Sequence, residues 1–134
     1  MQTASKIKTI SSLINSIGYQ GKSLLSINDL SNDQIYGLFE LAATLEPWNR
    51  SVIDLLPGNV MVTLFFQPST RTRMSFETAM HRLGGSVITE ASPMTTSSSA
   101  KEESLQDAMK VISKYANVIV LRHPNDEEAR DACN

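Results

Sequence analysis

The sequence predicts an α/β protein with a doubly wound parallel sheet in a single three-layer domain. Apolar, partly β-branched runs at residues 60–66, 86–90 and 118–121 alternate with segments whose apolar residues recur at helical spacing. The succession of strand, helix, strand, helix and strand implies right-handed parallel crossovers. Ligands of such folds bind at the carboxyl ends of the strands, so the residues that directly follow each strand are the candidates for function.

Composition restricts the class of protein. The chain has 134 residues, of which 41% are hydrophobic, and a net charge of −2, which suits one domain with its own core. A nucleic-acid partner is not expected, because the sequence has no clustered basic residues and such partners bind a clustered basic face. The sequence has no apolar stretch of about 18 residues to span a membrane and no signal-type start. We therefore expect a soluble, cytoplasmic protein.

Two helices are predicted before the first strand. Apolar residues from Ile7 to Ile14 recur at helical spacing, and this first helix ends near Gly18. Ser31 and Gln34 have the spacing of a capping box that opens the second helix, which ends near Glu46. Its predicted buried positions are Ile35, Leu38, Phe39, Ala42 and Leu45.

The most informative motif lies between the first strand and the helix after it. Residues 65–73 read Phe-Phe-Gln-Pro-Ser-Thr-Arg-Thr-Arg, which places hydroxyl and guanidinium groups at a helix N-terminus. Unpaired N–H groups and the helix dipole attract anions there. A cap explains one hydroxyl, but arginines in the first turn oppose the dipole unless an anion offsets them. The motif therefore predicts a phosphate-binding turn, without the glycine-rich pattern of nucleotide sites.

The sequence also predicts the ends and the apolar sides of the remaining helices. The helix after the turn is expected to end at Gly84-Gly85, and a final helix to begin after Asn125. The predicted apolar positions are Phe76, Ala79, Met80 and Leu83 in one helix, and Leu105, Ala108, Met109, Ile112 and Tyr115 in the next. Cys133 is the sole cysteine, which excludes an internal disulfide.

The stretches STRTRMSFETAMHRLGGSVI and KEESLQDAMKVISKYANVIVLRHP closely resemble the amino-terminal, carbamoyl-phosphate-binding half of the aspartate and ornithine carbamoyltransferases. The resemblance covers about residues 25–134 and leaves residues 1–24 as a helical extension. Arg122-His123-Pro124 is similar to the aspartate branch. This implies the first half of a two-domain enzyme, truncated at its carboxyl end, with the amino-acid-binding domain absent and no turnover expected from the chain alone.

The resemblance also implies roles for individual residues. Arg71 would neutralise the leaving phosphate through paired bonds from its planar guanidinium, while Thr72 and Arg122 would polarise the carbonyl oxygen. These three residues are the catalytic candidates. The predicted carbamoyl-phosphate ligands are Ser69, Thr70, Arg71, Thr72 and Arg122. The alternative for Arg122 is an arginine paired with a nearby carboxylate.

Residues 91–100 predict a polar loop. Ungapped counting places Ser97 and Lys101 on the family's loop serine and lysine, which reach into a neighbouring subunit's site and imply a homotrimer. The alternative is an ordinary mobile surface loop. Glu102 and Glu103 favour it, since they stand where the family usually has a glycine beside the lysine.

Three candidate functions remain, and the first two are implied by the resemblance. The first is transfer of a carbamoyl group from carbamoyl phosphate to L-aspartate in pyrimidine biosynthesis. The second uses ornithine or another amino acid, and the third is a non-catalytic anion-binding or assembly module. No metal or other cofactor is indicated, because neither His81 nor His123 belongs to a metal-ligand pattern. A regulatory chain or a dihydroorotase is an additional candidate partner.

Overall fold

The computed structural model describes residues 2–48, 50–90 and 104–133. By its internal contacts the chain divides into two compact units, Met1–Ser51 and Val52–Asn134. None of the helices in these described ranges is long and apolar enough to cross a membrane. The predicted boundary after residue 24 stays a prediction.

The first unit is a pair of packed helices, α1 at Gln2–Ile17 and α2 at Asn32–Leu45. Short 3-10 turns lie at Ile27–Asp29 and Glu46–Trp48. The predicted capping box is confirmed, because the Gln34 N–H donates to Ser31 Oγ and the Ser31 N–H donates to Gln34 Oε1.

The predicted buried side of α2 is wrong. No residue of this helix is buried, and Phe39 is 64% exposed. The helix instead approaches α1 at Gly37, where an added Cβ would lie 2.8 Å from Ile17 Cγ1. Gln34 Nε2 also donates to the Ile17 carbonyl at 3.1 Å. The apolar pattern therefore identified an apolar side of the helix but not the side that contacts its neighbour.

The second unit is a parallel three-stranded sheet in the order β2-β1-β3 with helices between the strands. This confirms the predicted α/β class. Its elements are β1 at Val60–Phe65, α3 at Thr70–Arg82, β2 at Ser86–Glu90, α4 at Leu105–Ile112, β3 at Val118–Arg122 and α5 at Asp126–Ala132.

Helices cover both faces of this sheet. Val62 and Leu64 of β1 pack with Leu105 and Met109 of α4 in one core cluster. Thr63, which points to the opposite face because side chains alternate along a strand, donates a hydrogen bond to a residue of α3. The sheet therefore lies between α3 and α4, which gives the three layers that the sequence predicted.

The helix ends of this unit follow the sequence signals, whereas the predicted faces hold only in part. Gly84 ends α3 with a φ of +86°, and Asn125 Oδ1 accepts hydrogen bonds from two backbone N–H groups of α5. Met80 is buried as predicted, but Phe76 and Tyr115 are 45% and 55% exposed. The apolar spacing therefore predicted more buried positions in this unit than the structure has.

Candidate functional site

The predicted phosphate turn lies at the carboxyl end of the central strand. β1 ends at Phe65, and α3 begins at Thr70 with Ser69 in the N-cap position. The Ser69 hydroxyl does not cap the helix, because it donates to Thr72 Oγ1 at 2.8 Å. The first-turn N–H groups of α3 thus lack the usual side-chain cap, which leaves them available to an anion.

The two arginines of the turn differ in their partners. Arg73 Nη1 lies 3.1 Å from Glu77 Oε1 in an ion pair one helical turn apart. Arg71 is exposed and makes no hydrogen bond or ion pair with any residue that the structure describes. Among the described residues, one of these cations is therefore paired within the protein and the other is not.

Glu77 is a residue that the sequence reasoning missed. Burial by itself raises the pKa of its carboxyl, but hydrogen bonds from Thr89 and Thr63 and the charge of Arg73 outweigh that effect and hold the pKa below its ordinary value. Glu77 is thus a carboxylate at neutral pH. The available signal was a lone threonine in an otherwise apolar strand, which needs a polar partner when buried.

Arg122 lies at the same edge of the sheet as the turn. It is the last residue of β3 and the register partner of Phe65, and its carbonyl accepts a hydrogen bond from the Phe66 N–H at 2.9 Å. Its Nε is buried and has no hydrogen-bond partner among the described residues. A buried donor without a partner lowers the stability of the folded state, and a hydrogen bond to a bound anion or carbonyl oxygen would remove that cost. The predicted alternative, a carboxylate partner, does not occur within the described ranges.

His123 fixes the chain directly after Arg122. Its side chain is 9% exposed, and its ring packs edge-on against Phe66 with 5.0 Å between centroids. Nδ1 accepts a hydrogen bond from the Asn125 N–H at 3.2 Å, and Nε2 lies 3.9 Å from a carboxylate oxygen of Glu128. These contacts hold the backbone that directly follows Arg122.

The site has one part that the structure does not describe. Ser97, Lys101, Glu102 and Glu103 lie outside the described residues, so their predicted roles stay predictions. Elsewhere, the residues that the structure describes include no group of three histidine, cysteine or acidic side chains placed to hold a metal. Cys133 is a free thiol that packs against the core cluster, and burial raises its pKa.

Sequence comparisons identify related proteins. The family model described as "Aspartate/ornithine carbamoyltransferase, carbamoyl-P binding domain" matches residues 22–134. A ureidoglycine carbamoyltransferase of Rubrobacter xylanophilus is 66% identical over all 134 residues, which correspond to 40% of that protein. The aspartate carbamoyltransferase catalytic subunit of Thermoplasma volcanium is 48% identical over 115 residues, or 83% of the chain and 37% of the relative.

Solved structures show the same relationship. The catalytic subunit of M. jannaschii aspartate transcarbamoylase matches 81% of the chain and 37% of its own length, with a TM-score of 0.74 and 47% identity. Aspartate transcarbamoylase of Trypanosoma cruzi, in complex with aspartate and phosphate, matches 87% of the chain with a TM-score of 0.79 and 37% identity. The chain spans 37–40% of the length of these proteins.

Proposed function

The chain belongs to the aspartate/ornithine carbamoyltransferase family, and we propose that it supplies the carbamoyl-phosphate site of an enzyme that carbamoylates an amine. One observation carries this proposal. At one edge of the sheet, the turn and Arg122 combine donors that have no partner among the described residues. They are the uncapped N-terminus of α3, the Arg71 guanidinium and the buried Arg122 Nε.

These donors suit carbamoyl transfer. The amine attacks the carbonyl carbon, a C–N bond forms, the C–O bond to phosphate breaks, and the nitrogen loses a proton. Negative charge develops on the carbonyl oxygen and on the leaving phosphate, and donors fixed in advance stabilise both. In this proposal Ser69, Thr70 and Arg71 hold the phosphate, while Thr72 and Arg122 polarise the carbonyl.

Two acceptors have specific support. The relative at 66% identity is named a ureidoglycine carbamoyltransferase and matches the whole chain, including residues 1–24. The relatives and solved structures named for aspartate match 81–87% of the chain at 35–48% identity. We propose ureidoglycine as the first acceptor to test and aspartate, which the sequence predicted, as the second.

Assembly belongs to the same proposal and rests on resemblance alone. We propose a cytoplasmic homotrimer in which Ser97 and Lys101 complete the site of a neighbouring subunit. Pyrimidine biosynthesis would follow only from the aspartate acceptor, and a regulatory or dihydroorotase partner is proposed on that same condition.

Calorimetric titration with carbamoyl phosphate tests the site directly. We expect the 134-residue chain to bind, and Arg71→Ala to abolish binding because the leaving phosphate loses its cation. Arg130→Ala is the matched control, since it removes an exposed arginine from α5 at the same cost in net charge. A folded trimer that binds no carbamoyl phosphate would contradict the site assignment. If a monomer fails to bind, the titration is repeated on the trimer before the assignment is judged.

A pair of chimeras tests whether this segment selects the acceptor. The chain would replace the matching segment of the Rubrobacter ureidoglycine enzyme and of the Thermoplasma aspartate enzyme. By resemblance, the acceptor is bound outside this segment, so each chimera should keep the acceptor of its host in a steady-state assay. A Thermoplasma chimera that prefers ureidoglycine would instead locate acceptor selection within these 134 residues.

A further inference from the structure

A single carboxylate connects helix α3 to two strands. This helix begins at the predicted phosphate turn, residues 69–72, which is called the anion turn below. Oε1 of Glu77 accepts hydrogen bonds from Thr89 Oγ1 at 2.8 Å, Thr63 Oγ1 at 3.0 Å and Arg73 Nη1 at 3.1 Å. The two threonines are register partners on β1 and β2, so their side chains leave the sheet on the same face. Elements α3, β1 and β2 therefore meet at one oxygen atom.

The buried threonine shows that this junction is more than a surface ion pair. An arginine and a glutamate one turn apart on a helix interact without help from a strand. Thr63, however, is fully buried in the centre of β1 between apolar neighbours, and its hydroxyl requires a partner there. That partner is Glu77, whose side chain is 18% exposed. The sheet interior thus contains a polar residue whose hydrogen bond holds α3.

The junction lies one turn from the anion turn. Arg73 directly follows Thr72, so the ion pair with Glu77 restrains the first turn of α3, where Arg71 and the free N–H groups lie. Binding groups must be held to within about 0.5 Å by side chains that are themselves fixed. Pairing with Glu77 also engages the Arg73 guanidinium within the protein.

We propose that Glu77 is a positioning residue for the anion turn, acting through Arg73 and the two strand threonines rather than by touching the ligand. The inference rests on the proposed function, because it takes the turn to be an anion site. This role places a carboxylate near a negatively charged ligand. The arrangement is possible because Arg73 neutralises the charge of Glu77.

The test uses the full chain and inorganic phosphate as the probe. Glu77→Gln keeps the shape but loses the charge that holds Arg73, so calorimetry should show about tenfold weaker phosphate binding. Asp107→Asn is the matched control, because it makes the same charge change at another paired helical carboxylate, on α4. The control should bind phosphate as the unmodified chain does.

Two variants that disturb the fold less keep the proposal testable if Glu77→Gln fails to fold. Thr89 is exposed on β2, so Thr89→Val preserves the strand while removing the shortest of the three hydrogen bonds. We expect binding about threefold weaker. Thr89→Ser restores the hydroxyl and should restore binding. Without any ligand, the amide NMR signals of Thr70, Arg71 and Thr72 should shift in the valine variant and return in the serine variant.

The outcomes separate the two proposals. Phosphate binding and amide signals that stay unchanged in Glu77→Gln and in Thr89→Val would overturn the positioning role. The anion site itself would then still stand if Arg71→Ala abolishes binding. A folded, trimeric chain that binds no phosphate would overturn both the proposed function and the inference that rests on it.

Discussion

Two charged side chains on successive turns of α3, Arg71 and Glu77, are in opposite states of pairing. In the first turn, Arg71 has no partner among the described residues and the helix lacks a side-chain cap. One turn later, Glu77 accepts three hydrogen bonds at a single oxygen. Unsatisfied donors mark a place prepared for a ligand, whereas saturated groups mark the support that holds it. The difference separates two arginines that the motif presents as equals.

The sharpest test of this comparison replaces each arginine in turn. Arg71→Ala should abolish measurable phosphate binding, a loss of at least about 100-fold, through lost charge-assisted hydrogen bonds, with little change in thermal stability. Arg73→Ala should weaken binding about tenfold at most but lower the melting temperature, since Glu77 loses its cation. Calorimetry and thermal unfolding measure the two effects. Equal losses of binding would mean that both arginines contact the ligand.

Arg122 extends the comparison to the end of β3. Because its buried Nε lacks a partner among the described residues, Arg122→Met should raise the free energy of unfolding without ligand by about 1 kcal/mol. The same variant should lose the stabilisation that phosphate gives. Urea unfolding with and without phosphate measures both quantities. A clear loss of stability in the absence of phosphate would argue for a structural partner instead.

The same isosteric change should affect stability differently at the Glu77 junction and at the anion turn. Thr63→Val removes a buried donor from the Glu77 junction and should lower the free energy of unfolding by about 1 kcal/mol. Thr72→Val, at the anion turn, should change it by less than about 0.5 kcal/mol. Denaturant titrations of both variants provide the comparison. A larger cost for Thr72→Val would show that the turn is as much a structural junction as the sheet face.

The smallest expected effect is a dependence of stability on acid. The folded state holds the Glu77 pKa below its ordinary value of 4.5, so this carboxylate contributes stability that is fully present above that pH. The contribution is lost as pH falls through the folded-state pKa. Glu77→Gln should therefore flatten the acid side of the stability profile measured by chemical unfolding. An unchanged slope would mean that the hydrogen bonds do not favour the charged form.

Local signals predicted most of the elements and the position of the turn. Strand β2 has the bounds that the sequence indicated, and the caps at Ser31 and Asn125 occur as their side chains predict. These features depend on neighbouring residues, so a short stretch of sequence contains the necessary information. Arg122 was placed at the binding edge by the same reasoning, because a strand end fixes its location in a parallel sheet.

The missed features depend on residues far apart in the chain. Apolar spacing predicted a buried side for α2, in which no residue is buried, since periodicity cannot say which surface a neighbouring element covers. The Glu77 junction requires that Thr63 and Thr89 be register partners, which only strand pairing determines. The lack of a partner for Arg122 Nε among the described residues is likewise a property of the assembled fold.

If Ser69 binds an anion as proposed, its hydrogen bond to Thr72 makes that binding an exchange reaction. An anion that recruits the Ser69 hydroxyl must first release it from Thr72, so the net gain is smaller than a free hydroxyl would provide. Between ligands, the same bond keeps both side chains from rotating at random. Under the proposed function, the turn would give up some affinity and in return stay ordered when empty, which would favour rapid release of phosphate.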